Sequence, residues 1–176
     1  METNLQYPIG KFQRPEKLSE EQRHASIASL AEHPARLRAA VAGLTDAQLE
    51  TPYRPGGWTV RQVVHHLPDS HMNSYVRFRL ALTESEPTVK TYDEARWADL
   101  NDAKTAPIDP SLALLENLHQ RWVTLLRSLS PADWARTFRH PAIGVITLEQ
   151  NLALYDWHGR HHVAHITSLR ERQGWR

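Results

Sequence analysis

Ahead of three long stretches of the chain a Ser or Thr stands three residues before a Gln, at Ser19-Glu20-Glu21-Gln22, Thr59-Val60-Arg61-Gln62 and Thr147-Leu148-Glu149-Gln150. This is the capping box, in which two side chains satisfy two orphan amides at a helix start. Asp109-Pro110 supplies a fourth start, with Asp as N-cap and Pro at the first helical position. The spacing predicts helices over 20–42, 60–84, 110–129 and 148–172. Within the third, Leu115, Leu118, Trp122, Leu125 and Leu129 alternate spacings of three and four and share one face. Four such helices in 176 residues imply an all-α four-helix bundle in a single domain, 1–176. Short connecting helices are expected over 45–49, 92–100 and 130–134, and a turn at "RPGGW". Only "TFRHPAIGVITL" has strand character, and residues 1–18 read as an extended N-terminal arm.

Lys and Arg number 21 against 20 Asp and Glu, which leaves no basic footprint for nucleic acid or for an anionic membrane. No run approaches the ~18 apolar residues of a membrane span, and the first residues lack the layout of a signal peptide. The expected location is the cytoplasm. With no cysteine in the chain, any metal must be held by His, Asp or Glu.

Histidine is the unusual component. "LYDWHGRHHVAHITSL" holds His158, His161, His162 and His165, and "HHLPDSH" holds His65, His66 and His71. The other four of the eleven, His24, His33, His119 and His140, are scattered and read as surface or packing residues. On the last helix the apolar seam is Leu148, Leu152, Tyr155, Gly159, His162, Ile166 and Leu169, so His162 faces the core with His158 one turn before it. A His-x-x-x-His pair can present two imidazoles to one ion. The pair His161 and His165 has the same spacing but is centred further round, away from the seam. Neither pair is followed by the Glu of His-Glu-x-x-His, which argues against a zincin protease. On the second helix the seam Val60, Val64, Leu67, His71, Ser74, Phe78 favours His71 as the inward histidine, with His66 at its edge and His65 pointing away. Pro68 implies a kink near His66. Asp69 and His71 are candidates to orient a ligand imidazole, and Trp58, Trp97, Trp122 and Tyr75 to line a pocket.

The segments "YPIG", "TPYRPGGWTVRQVVHHLPDSHMNSYVRFRLALTE", "YDEARWADL" and "WHGRHHVAHI" resemble the YfiT-like branch of the DinB superfamily, and the likeness spans nearly the whole chain. The resemblance implies a DinB-like bundle whose metal ligands are His66, His158 and His162, replacing the seam's choice of His71. It also implies homodimers. Pro68 departs from the family pattern and bears on the geometry around His66.

Three imidazoles with no fourth protein ligand leave an open position, the layout of catalytic zinc. About one divalent transition metal per chain is expected, zinc first, with nickel or manganese also accommodated. The resemblance implies a metal-dependent hydrolase acting on a small-molecule substrate, with water at the open position. The alternative is an S-transferase joining a low-molecular-weight thiol, such as bacillithiol, to an electrophile. No carboxylate general base is evident near the His pair, and Glu149 stands too far up the helix. For a thiol's carboxylates, Arg61, Arg77, Arg79 or Arg160 are available. A third reading is a metal-binding helical module without turnover.

Overall fold

The computed structural model describes residues 4–175. Four long helices build the frame: α1 (Glu20–Val41), α3 (Val60–Thr83), α6 (Asp109–Arg127) and α8 (Leu148–Gln173). Between them lie α2 (Asp46–Leu49), α4 (Glu94–Ala98), α5 (Asn101–Thr105), α7 (Pro131–Trp134) and a hairpin of β1 (Thr137–His140) and β2 (Gly144–Thr147). Each of α1 and α3 packs against both α6 and α8. The chain is therefore an all-α four-helix bundle in the ring order α1–α6–α3–α8.

The helix starts follow local chemistry. Ser19, Thr59 and Thr147 form complete capping boxes with Gln22, Gln62 and Gln150. The fourth start differs from expectation. The Leu112 amide already bonds the Ile108 carbonyl, so Asp109 falls inside the first turn and Ile108 flanks the helix with no side-chain cap. The segment 92–100 holds one short helix, α4, capped by Asp93, and a further short helix, α5, follows after Leu100. Pro68 lies inside α3 without ending it. In the antiparallel hairpin, Phe138 pairs with Ile146 and both turn into the core.

The α3 seam is buried as its spacing implied, from Val60 through His71 to Phe78, and so is the α8 seam from Leu148 to Leu169. The α6 seam is rotated. Its buried residues are Leu112, Leu115, His119, Trp122, Val123 and Leu126, while Leu118, Leu125 and Leu129 are only partly covered. Two apolar clusters result. One gathers Leu30, Phe78, Trp122, Leu152 and Tyr155, the other Leu37, Leu67, Leu115 and Ile166. Between them every long helix contributes a histidine: His33 from α1, His71 from α3, His119 from α6 and His158 from α8, with neighbouring ring centroids 4.9–5.8 Å apart. A layer of imidazoles thus crosses the bundle between its two apolar clusters.

The arm runs back along α8. The Leu18 amide donates to Glu149 Oε2 at 2.5 Å, Gln150 donates to the Pro15 carbonyl, Trp157 Nε1 to the Gly10 carbonyl, and His165 Nε2 to the Gln6 carbonyl at 3.1 Å. Tyr7 stacks on His161. This cover buries His161 and His165, which the helical wheel had set away from the apolar seam.

Candidate metal centre

His66 sits on α3 two turns after the Thr59 cap, and His158 and His162 follow one another on α8. One ring nitrogen from each of the three lies within 4.8 Å of the others. The closest approach is His66 Nε2 to His158 Nε2, 3.2 Å. Ring centroids are 4.5 Å apart for His158 and His162 and 4.9 Å for His66 and His162. The "RPGGW" turn completes this side. Gly56 takes a positive φ of 68°, which a residue without Cβ adopts freely. The Tyr53 amide bonds the Trp58 carbonyl, and the folded-back turn sets the Trp58 ring 4.7 Å from His66.

Burial holds these imidazoles neutral. Desolvation lowers His66 to about 4 and drives His158 and His162 well below their ordinary value, with neighbouring histidines adding to the effect for the latter two. Neutral imidazole is the form that ligates metal. Two nitrogens each about 2.05 Å from a tetrahedral ion stand about 3.3 Å apart, close to the 3.2 Å between His66 Nε2 and His158 Nε2. His162 Nδ1 is buried without a hydrogen-bond partner. The donor set therefore fits a divalent ion of zinc's size and preference.

A cavity of about 310 Å³ opens onto this cluster, walled by His66, His162, Tyr53, Arg54, Trp58 and Glu94. A larger groove of about 540 Å³ runs along α1 and α6 past Arg38 and Glu116, and includes none of the three clustered imidazoles. Desolvation raises the Glu94 carboxyl from its ordinary value, offset in part by Arg77.

The remaining candidates fall into place around the cluster. His71, fully buried, is not one of the three; its Nε2 lies 3.2 Å from His158 Nδ1, directly behind that residue. Asp69 does not orient an imidazole among the described residues. Burial and the adjacent Asp102 raise its carboxyl to about 6. His65 turns the other way, to Ser111 Oγ and the Ala106 carbonyl. Arg61 is a buried structural cation, bonded to Glu50, Asp46 and the Ala106 carbonyl. Arg79 bonds Tyr75 and Arg160 bonds Asp156. Trp122 is core, and Trp97 packs tilted against Tyr92, with ring centroids 4.5 Å apart. Glu149 anchors the arm and Arg23. His33 and His119, read as scattered, are buried in the imidazole layer, with His119 2.8 Å from His71. Starting the α6 stripe at Leu112 and carrying it from Leu115 to position 119 rather than to Leu118 would have revealed His119.

The DinB superfamily pattern matches residues 29–166, and the chain belongs to that family. It is 56% identical to the protein named "Putative metal-dependent hydrolase YfiT" of Bacillus subtilis (strain 168), over 98% of this chain and 97% of that protein. A like-named protein of Bacillus mycoides (strain KBAB4) is 55% identical over 98% of this chain and 99% of its own length. The solved structure of the Bacillus subtilis protein superposes with a TM-score of 0.96, covering 98% of this chain and 99% of that one. That protein is described as "a probable metal-dependent hydrolase with an unusual four-helix bundle topology".

Proposed function

We propose that this protein is a metal-dependent hydrolase of small molecules, with one divalent ion, zinc first, held by His66, His158 and His162. The observation that carries the reading is the closure of these three neutral imidazoles on one point at the wall of the 310 Å³ cavity. The names of the relatives support it. A divalent ion on three imidazoles supplies Lewis acidity and an open position for water or a substrate heteroatom.

The chain's own residues do the rest. Trp58 and Tyr53 offer aromatic walls to an apolar part of the substrate. Arg54 places a cation at the mouth, suited to a carboxylate or phosphate. Glu94, with its raised carboxyl, is the carboxylate placed to take a proton at the cavity wall and return it to a leaving group. It supplies the general base that the helix carrying the His pair lacks, and so favours water over thiol as the nucleophile.

The test is metal-loaded and metal-free protein assayed on ester and amide panels, with and without added low-molecular-weight thiol. Metal-dependent hydrolysis with water alone is the expected result. Turnover only with thiol, giving the thioether conjugate, would replace the hydrolase by the S-transferase. Metal uptake with no turnover on any substrate would reduce the protein to a metal-binding module.

A further inference from the structure

Pro34 stands inside α1. It has no amide hydrogen, so the carbonyl four residues earlier, that of Leu30, has no helical donor. In a buried core such a carbonyl needs another partner. His119 provides it: its Nδ1 lies 2.7 Å from the Leu30 oxygen.

A carbonyl only accepts, so neutral His119 must carry its proton on Nδ1 and present a lone pair at Nε2. That Nε2 is 2.8 Å from His71 Nδ1. His71 therefore donates from Nδ1 and accepts at Nε2, which is 3.2 Å from His158 Nδ1. His158 in turn donates from Nδ1, which leaves the lone pair on its Nε2. This is the atom that faces His66 Nε2.

We propose that the Leu30 carbonyl, freed by Pro34, fixes the tautomers of His119, His71 and His158 in series, so that His158 Nε2 is held unprotonated toward the metal position. His71 and His119 are then positioning residues for a ligand. Reversing the order would require the carbonyl to donate, so the series has one direction. The surroundings keep it intact. His71 and His119 are 0% and 2% exposed. The His33 ring lies 5.5 and 5.8 Å from theirs, and Trp122 packs nearly perpendicular to both at 6.0 and 5.7 Å. The use of the series rests on the proposed metal reading; the tautomers themselves do not.

Long-range ¹H–¹⁵N imidazole spectra of the metal-free full chain at neutral pH test the tautomers directly. The expected pattern is Nδ1–H for His119, His71 and His158; an Nε2–H His158 overturns the proposal even if the protein binds metal. Zinc affinity, measured by chelator competition, tests the consequence. His119→Leu should weaken binding about 10- to 100-fold, the usual loss on removing a ligand's hydrogen-bond partner. His119→Gln can accept from His71 and donate to Leu30, and should recover most of it. Pro34→Ala returns a competing amide to the Leu30 carbonyl and should give a smaller loss. Unchanged affinity in folded His119→Leu, or no rescue by His119→Gln, sinks the idea. Failure of the wild type to bind zinc removes the metal reading alone, and the metal-free spectra still decide the tautomers.

Discussion

Acid should unfold the metal-free protein at a pH where most bundles survive. Burial, the leading cause in each case, lowers His33 to about 3 and His66, His119, His161 and His165 to about 4. All five are less than a tenth exposed in the fold. In the unfolded chain each returns to about 6.5. Between those values the unfolded chain binds the protons and the native state does not, so stability falls as pH drops through 6.5. The linkage integral gives a loss on the order of 1 kcal/mol per histidine at pH 6 and about 2 kcal/mol at pH 5. Several such groups together bring the loss at pH 5 to the scale of the whole stability of a domain, roughly 5–15 kcal/mol. The assay is urea denaturation followed by circular dichroism at half-unit steps from pH 8 to pH 5. The expected urea midpoint is level above pH 7 and collapses between pH 6 and pH 5. A midpoint level from pH 7 to pH 5 would refute the neutral imidazole layer. Added zinc should move the collapse to lower pH, since a ligand that binds only the native state stabilises it.

Other outcomes are equally specific. Gly159→Ala would place a methyl 2.5 Å from the His33 ring; the gain of ~1 kcal/mol in helix propensity should lose to overpacking of ~1–3 kcal/mol, so chemical denaturation should show net destabilisation. Alanine at His66, His158 or His162 should abolish stoichiometric metal binding by elemental analysis, whereas His65→Ala and His161→Ala should retain it. Glu149→Ala removes a buried acceptor from the Leu18 amide and Arg23, which should cost ~1–3 kcal/mol and hasten proteolysis of the arm.

Helix starts were legible because a capping box is a local device: Ser19, Thr59 and Thr147 need only their own third neighbour. The α8 and α3 seams were legible because apolar spacing there admits a single face. The α6 seam was not. Leucines at 115, 118, 125 and 129 and at 112, 115 and 126 each satisfy helical spacing, and only the packing of α1 and α3 selects the second set, with His119 in it. The choice between His66 and His71 shows a different limit. Periodicity ranks residues by how directly they face the bundle axis, and His71 does so. The cluster closes instead at the α3–α8 boundary beside the Trp58 turn, where an edge residue such as His66 reaches the α8 pair. Only the family resemblance pointed there. The burial of His161 and His165 depended on the arm, whose contacts come from over a hundred residues away in the chain.

The most direct test of the account is the metal content of the purified native protein and of a His158→Ala/His162→Ala double variant. About one transition-metal ion per chain in the native protein, and none in a folded double variant, is the predicted result. A native protein that is folded, metal-free and unable to take up zinc or nickel would contradict it.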